Sequence, residues 1–442
     1  MLETPNLSTL APSVFQPLRA SSVREFVTYL GPALIVSMAY MDPGNYGTAI
    51  QSGSLFQNGL VWTVWLASLM AMELQYLSGK LGIATGKSLP ELLRVSLKTR
   101  YYRFAYWLAA EAAAAATDLA EYLGTVLALN ILFGIPLLYA AVLGALDVLI
   151  ILAFATRKFR VIEYLFMLFV SIISIGFLYE IFVLGPNLTD IAHHTFLPVL
   201  NNGNIPFVVG IVGATVMPHA LFVHSYLAKN KLRNDSIEEK RRVRKLHLAE
   251  CVFTLTIAAL VNVGILVTAS SVLFGQYGAL PSCGVVANNA TAISNCANSL
   301  SVNKAANIMG ALYGSAAMIV FGVTLLSSGL ASSTTGTLAG QAIMEGLLGT
   351  KVNVYIRRLV TRFINVIPTV TAISLGLAPL TLLVYSQVVL SIMIPLPMIP
   401  LLYYTAKKGV MGEFVNRRAT TFIAVIVAAI ILALNVYLLL SL

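Results

Sequence analysis

Residues 39–50, AYMDPGNYGTAI, place a carboxylate beside two strong helix breakers inside an otherwise apolar stretch. Pro43 lacks a backbone donor and Gly44 adds backbone freedom, so a helix passing through them is expected to unwind. Unwound backbone within a membrane is tolerated only where protein covers it or where it lines a hydrated cavity. A carboxylate at that depth costs at least ~2.5 kcal/mol, so Asp42 is by default a candidate functional residue.

A second apolar stretch carries a similar interruption. Residues 210–225, GIVGATVMPHALFVHS, break at Met217-Pro218-His219, about halfway through the run. Two ordinary proline kinks in a packed bundle would explain the prolines, but a kink does not require an adjacent aspartate. Interrupted helices at corresponding positions of two halves are typical of secondary transporters, whose substrate site lies between the halves.

The atoms exposed at the two interruptions describe a cation site of mixed character. Asp42 offers an anionic oxygen, Asn45 an amide oxygen, Met217 a thioether sulfur, and the backbone around Ala214 a carbonyl. Calcium and magnesium prefer shells of oxygen alone, whereas sulfur favours manganese, iron, cobalt or cadmium. A methionine in a membrane helix is usually a packing residue, and that alternative stays open for Met217.

Three further carboxylates lie in EAAAAATDLAEYLG, residues 111–124. Glu111, Asp118 and Glu121 are spaced by seven and three residues, so they share one stripe of a helix. Buried carboxylates can load and release protons near neutral pH, which predicts a proton relay. Alternatively they pair with arginines and lock the bundle, and the two roles are compatible.

The partner of these carboxylates is expected in the ninth apolar segment. Arg362 opens that segment and is the candidate, while Arg357 and Arg358 are alternatives because the register is uncertain. His219 and His224 follow the second interruption and are candidate proton carriers. Five residues separate them, so they cannot form the i, i+4 clamp of a helical zinc site, and we interpret them as a proton-sensitive pair. The alternative is that they only hydrogen-bond to neighbouring helices.

The elements that position these residues are membrane-spanning helices. Of the 442 residues, 58% are hydrophobic and 10% are charged, and long apolar runs cover the chain. Such a composition excludes a soluble domain and predicts an all-α polytopic membrane protein. The chain offers eleven candidate spans, at 28–55, 59–83, 104–133, 136–156, 160–184, 204–228, 246–275, 304–330, 356–376, 379–405 and 418–441.

The net charge of +10 follows from topology rather than from nucleic-acid binding. With the N-terminus in the cytoplasm, Lys and Arg collect in connections on one side, which is the positive-inside pattern, and the C-terminus is then extracellular. These connections are 80–103, 157–160, 229–245, 351–362 and 407–418. We therefore predict a multi-pass protein of the cell membrane whose partners are the lipid bilayer and its substrates.

The spans are predicted to form two blocks of five, at 28–184 and 204–405, followed by one extra span at 418–441. Five is odd, so the second block crosses the membrane in the opposite sense and forms an inverted repeat. Residues 1–27 are interpreted as a short cytoplasmic arm. Cys283 and Cys296 share one predicted outer loop, so a single disulfide there is an open possibility.

Asp42-Pro43-Gly44-Asn45 and Met217-Pro218-His219, with eleven spans around them, resemble the natural resistance-associated macrophage protein (Nramp) family of divalent metal transporters. The resemblance covers nearly the whole chain. It implies a leucine-transporter-like fold and proton-coupled uptake of manganese or ferrous iron by alternating access. In that family, the residues matching Asp42, Asn45, Met217 and the Ala214 carbonyl bind the metal.

The resemblance also implies further roles. Gln387 in YSQVVLS matches a residue expected to join the metal shell in some conformations, and His219, His224, Asp118 and Glu121 match residues with proton-related roles. No resident cofactor is expected, because metal and protons are substrates, and an oligomer is not required.

Three other functions agree less well with the sequence. Enzymes are disfavoured because no HExxH, GxSxG or Walker motif occurs. An amino acid carrier coupled to sodium is opposed by Asp42, whose charge repels a substrate carboxylate. A passive channel does not require paired helix interruptions.

Overall fold

The computed structural model describes residues 26, 29–147, 159–200, 203–275, 302–350 and 353–441. These residues form helices joined by turns, and the described ranges contain no strand. The helices are α1 Pro32–Ala39, α2 Pro43–Phe56, α3 Val61–Thr85, α4 Leu89–Ser96, α5 Arg100–Phe133, α6 Leu137–Gly144, α7 Phe159–Leu184, α8 Leu188–Phe196, α9 Ile205–Thr215, α10 Pro218–Lys229, α11 Ile237–Leu273, α12 Val302–Tyr313, α13 Ser315–Leu348, α14 Val354–Ser374, α15 Pro379–Met393, α16 Pro395–Ala406, α17 Lys408–Met411 and α18 Arg418–Ser441.

A membrane setting explains the outer surface of this bundle. Seven helices or joined helix pairs of the described ranges are long and apolar enough to cross a bilayer. Large apolar side chains are more than half exposed on the periphery, among them Phe182, Phe363 and Leu440. Water would penalise such a surface, whereas lipid tails solvate it.

Two helices are truly interrupted near their middles. Asp42, between α1 and α2, has φ −76° and ψ 165°, and Met217, between α9 and α10, has φ −82° and ψ 126°. Both conformations are extended rather than helical. Pro43 and Pro218 then occupy the first position of the following helix, where the missing N–H costs nothing. The predicted breaks therefore lie at the predicted residues.

Proline alone does not produce such an interruption in this chain. Ile394, directly before Pro395, keeps the helical angles φ −54° and ψ −43°, so α15 continues into α16. Pro368 and Pro400 also lie inside helices. The extended backbone at Asp42 and Met217 thus excludes the alternative of two ordinary proline kinks.

The interrupted helices lie in the centre of the bundle. All eight residues of α1 and all fourteen of α2 are buried. Helix α11 packs along α1, α2 and α3, and α10 packs between α3 and α13. The long helices α5 and α13 pack against each other, and α15 covers α5 and α9. Helix α18 contacts the bundle at its edge.

Some boundaries differ from the sequence prediction. The eighth span was placed at 304–330, but the described helix α13 runs to Leu348 and is separated from α12 by Gly314, whose φ of 92° stops the helix. Residues 327–337 lie within α13, the helix that packs against α5. Arg362 lies in the third turn of α14 instead of opening it.

Several predictions fall outside the described residues. They concern the arm at 1–27 except for residue 26, the fourth span beyond residue 147, and the possible Cys283–Cys296 disulfide.

Candidate functional site

Asp42 holds the first interruption in place through one carboxylate oxygen. Its Oδ1 accepts hydrogen bonds from the Asn45 backbone N at 2.9 Å and from Asn45 Nδ2 at 2.8 Å. The carboxylate therefore caps α2, satisfying an N–H that the helix start leaves unpaired. Its second oxygen, Oδ2, is buried and has no hydrogen-bond partner among the described residues. That oxygen is available to a ligand.

Asn45 connects the two interruptions. Its Nδ2 lies 3.2 Å from the carbonyl oxygen of Ala214, at the end of α9, and 3.2 Å from that of Tyr40, at the end of α1. Its Oδ1 accepts from the Thr215 hydroxyl at 3.3 Å. Oxygens from both interruptions and from Asp42 thus converge on one amide nitrogen. Such a cluster of acceptors suits a cation.

Gln387 reaches the same place from α15, because two glycines leave room for it. A Cβ on Gly44 would lie 2.1 Å from Gln387 Nε2, and a Cβ on Gly213 would lie 2.3 Å from the Gln387 backbone oxygen. Gln387 therefore packs on the backbones of α2 and α9, beside both interruptions. Its Oε1 is buried without a hydrogen-bond partner in the described part of the chain.

Met217, the remaining predicted ligand, directly precedes α10 at the second interruption. It is fully buried and its side chain does not cap α10. The C-terminal ends of α1 and α9 meet the site with carbonyl oxygens, which carry the negative end of each helix dipole. Their orientation favours a positive charge.

A polar connection leads from the second interruption to α5. His219 Nδ1 lies 3.1 Å from the Thr117 hydroxyl, and Thr117 precedes Asp118. Asp118 accepts a 2.7 Å hydrogen bond from Asn365 Nδ2 and lies 3.7 Å from Arg362 Nη1. His219 on α10 therefore contacts α5 at Thr117, the residue that precedes Asp118 in sequence.

Arg362 is the centre of this network, and one of its partners was not predicted. Asp147, at the end of the described part of the fourth span, lies 2.9 Å from Arg362 Nη2. Ser333 Oγ lies 3.2 Å from the same nitrogen, and the guanidinium stacks over Tyr122. The sequence did offer a signal for Asp147, because it is an acidic residue inside the apolar run 136–156. A charged residue inside an apolar span is a candidate functional residue, which is the rule that identified Asp42.

The other two carboxylates of the stripe have different surroundings. Glu111 forms a 2.6 Å ion pair with Arg357, one of the alternative partners. Glu121 is buried against the backbone of Gly336 on α13. The stripe therefore divides into a partly buried end at Glu111 and a fully buried end at Asp118 and Glu121.

His224 contacts a different helix from His219. Its Nδ1 lies 2.8 Å from Gln75 Oε1 on α3, and Gln75 Nε2 donates to the Tyr40 hydroxyl at 2.5 Å. The two histidines thus do not act on one shared partner. Gln75 was not predicted, because a glutamine in an apolar helix gives no periodic signal.

Comparison with known proteins gives consistent matches. Residues 33–441 match the family model described as natural resistance-associated macrophage protein-like. The "Divalent metal cation transporter MntH" of Deinococcus radiodurans is 38% identical over 418 residues, covering 94% of this chain and 90% of the relative. The protein of the same name from Bacillus subtilis is 34% identical over 416 residues, covering 94% and 92%.

A solved structure matches over the same extent. The Eremococcus coleocola manganese transporter, crystallised with an aromatic bis-isothiourea compound, superimposes with a TM-score of 0.79 at 30% identity. The match covers 97% of this chain and 89% of that one.

Proposed function

The chain belongs to the Nramp family, and from that premise we propose that it imports divalent transition metal ions together with protons. Its relatives are named as divalent metal cation and manganese transporters. Manganese and ferrous iron are the proposed substrates, with cadmium and cobalt accepted as well. Those relatives are transporters, which confirms the prediction that the chain is not an enzyme.

The observation that carries this proposal is the position of Asn45 between the two interruptions. Oxygens of Asp42, Ala214 and Tyr40 lie within 3.2 Å of its Nδ2. Rotation of the amide would turn its Oδ1 towards the same space and leave a set of oxygens for an ion. Asp42 Oδ2 and Gln387 Oε1 offer further oxygens.

Met217 supplies the selectivity in this proposal. One carboxylate with neutral oxygens would also accept calcium, whereas a thioether binds softer ions preferentially. A single carboxylate leaves a divalent ion half neutralised, which suits release as well as capture. The ion is therefore held strongly enough for specificity and weakly enough for transport.

Protons are proposed to leave the site along α5. His219 contacts Thr117 on α5, the helix that carries Asp118 and its ion pair with Arg362, which also pairs with Asp147. Glu121 and Glu111 extend the acidic stripe on either side of Asp118. His224, near the middle of α10, is proposed to respond to protonation.

The proposed architecture is a leucine-transporter-like inverted repeat. The blocks 28–184 and 204–405 contain α1 to α7 and α9 to α16, and α18 is the eleventh span. The arm at 1–27 and the N-terminus are proposed to be cytoplasmic, and the C-terminus extracellular. The two blocks would alternately open the site to each side of the membrane, without a need for an oligomer.

Radioactive manganese uptake into proteoliposomes, with proton flux recorded in parallel, tests the function. Manganese is expected to enter and to stimulate proton flux. Met217→Ala is expected to weaken manganese and cadmium uptake and to let calcium compete roughly tenfold better, because the sulfur is lost. Asp42→Ala is expected to abolish uptake while the protein still inserts.

Met398→Ala is the matched control, since Met398 is a fully buried methionine on α16. It should leave ion selectivity unchanged. Equal discrimination by Met217→Ala and wild type would make the sulfur a packing group. Sodium-dependent amino acid uptake without metal transport would contradict the proposed function.

A further inference from the structure

Three metal-binding side chains meet at a second place in the fold. His224 on α10 faces His247 and Cys251 on α11, and one ligand atom of each lies within 4.8 Å of the others. All three side chains are buried. His247 and Cys251 are four residues apart, so one face of α11 presents both. We call this group the His2Cys cluster.

The cluster is separate from the helix interruptions. Asn262, also on α11, donates a hydrogen bond to the Tyr40 carbonyl oxygen at the first interruption. Cys251 precedes Asn262 by eleven residues, or about 16 Å along the helix. His224 lies six residues after Pro218, about 9 Å along α10. An ion in this cluster would not share ligands with the proposed transport site.

The hydrogen bonds of His224 leave one of its ring nitrogens available to a ligand. Gln75 donates through Nε2 to Tyr40, so its Oε1 accepts from His224 Nδ1. The lone pair of His224 then lies on Nε2. That buried nitrogen has no hydrogen-bond partner among the described residues. Histidine ligands of metals are typically held in this way, with the other ring nitrogen donating to an oxygen.

His247 shows the same arrangement. Its Nε2 lies 3.3 Å from the carbonyl oxygen of Tyr76, so a proton on Nε2 leaves the lone pair on Nδ1. The ring is also fixed in position, because a Cβ on Gly79 would lie 2.2 Å from its Cε1 and Nε2. The imidazole thus rests directly on the backbone of α3.

The distances fit tetrahedral coordination. Cys251 Sγ lies 3.7 Å from His247 Nδ1 and 3.5 Å from its Nε2. Zinc bound to sulfur at about 2.3 Å and to nitrogen at about 2.0 Å separates the two ligands by roughly 3.5 Å. The two side chains on α11 are therefore close enough for one ion to bridge them once the sulfur moves towards the Nδ1 side of the ring.

We propose that His224 in its neutral form, together with His247 and Cys251, forms a second metal site, which binds a soft divalent ion of the zinc and cadmium class. Two imidazoles and a thiolate are ligands that such ions prefer, and water would take the fourth position. Binding displaces the thiol proton of Cys251. The bound ion would join α10 to α11.

Cobalt titration of the purified full chain tests the site. In a Cys283→Ser, Cys296→Ser background, Cys251 is the only thiol, since the sequence has three cysteines. A thiolate-to-cobalt charge-transfer band is expected to saturate with one ion. The proposed transport site contains a thioether and oxygens, so it gives no such band. The band should therefore persist in Asp42→Ala and disappear in Cys251→Ala.

His247→Gln provides a second variant that keeps the thiol. Its cobalt affinity is expected to fall at least about tenfold, whereas the exposed control His193→Gln should bind as the parent does. Manganese uptake by Cys251→Ala and His247→Gln serves as the test of folding. A parent without the band, a band that survives Cys251→Ala, or unchanged affinity in His247→Gln would overturn the proposal.

Discussion

Arg362 carries a full positive charge into the protein interior, where only its neighbours can stabilise it. Its side chain is 2% exposed, and Asp118 and Asp147 lie on its two terminal nitrogens. A buried charge is tolerated when it is paired and hydrogen-bonded, and both conditions hold here. The arginine and the two acids should therefore be treated as one unit.

Replacing the arginine tests this unit. Arg362→Met would leave two buried carboxylates without their cation, so we expect the free energy of unfolding to fall by about 3–5 kcal/mol. Thermal unfolding in detergent measures the loss. Arg241→Met is the matched control, because Arg241 forms an exposed ion pair with Glu413 and should change Tm little. Equal Tm values for the two variants would contradict a structural role of the Arg362 network.

Single residues also show which parts of the site could be predicted from the sequence. Asp42, Asn45 and Met217 were identifiable because a charge, a proline and a glycine interrupt an apolar run locally. Gln75 and the pairing of Asp147 with Arg362 were not, because each depends on a contact between helices distant in sequence. A single sequence contains no direct record of such contacts.

At the level of helices, glycines decide how closely α9 approaches α15. Gly213→Ala would place a methyl group 2.3 Å from the Gln387 backbone oxygen and 2.8 Å from Ser391 Cβ. Backbone cannot yield as a side chain can, so we expect a loss of about 1–3 kcal/mol and of metal uptake. Uptake assays and Tm measure these effects.

Gly210→Ala is the control on the same helix. Its added methyl group would meet only Thr48 Cγ2 at 3.5 Å, an ordinary contact. It should retain both transport and stability. If both alanines are tolerated equally, the close approach of α9 and α15 is not required.

The connection between α4 and α10 should depend on pH. Burial alone would raise the pKa of Glu91, but its ion pair with Lys229 and its hydrogen bond from the Ser88 N–H lower that pKa below 4.5. A lowered pKa stabilises the fold above 4.5 and ceases to do so as the pH falls through the lowered value. Wild type should therefore exceed Glu91→Gln in Tm above roughly pH 5, and the difference should shrink at more acid pH.

Thermal unfolding across this pH range makes the measurement. Glu238→Gln is the control, because Glu238 is an exposed glutamate on α11. Its Tm should follow wild type at every pH. A constant difference between wild type and Glu91→Gln would show that the carboxylate acts by packing alone.

Helix interruptions were predictable as elements, whereas helix ends were not. The extended conformations at Asp42 and Met217 follow from the residues adjacent to them in sequence. The start of α13 depends on Gly314, and its continuation to Leu348 depends on packing against α5. Hydrophobicity measures the apolar part of a helix and misses a polar extension such as this one.

For the whole molecule, the proposed orientation makes a labelling prediction. In a chain whose three cysteines are replaced by serine, Asn187→Cys should react with a membrane-impermeant maleimide in intact cells. Lys408→Cys should react only after permeabilisation, because it lies in a basic connection assigned to the cytoplasm. Both positions are exposed, so accessibility of the side chain is matched. The reverse labelling pattern would invert the topology.

The two oxygens of the Asp42 carboxylate have different surroundings, and this has a consequence for the transporter when no ion is bound. One oxygen caps α2, and the other is the one proposed to bind the metal ion, so binding and release of the ion would not have to unwind the start of the helix. A transporter that has released its ion must return to its starting conformation without the ion. Because one carboxylate oxygen stays hydrogen-bonded to the backbone, the start of α2 would keep its structure during that conformational change.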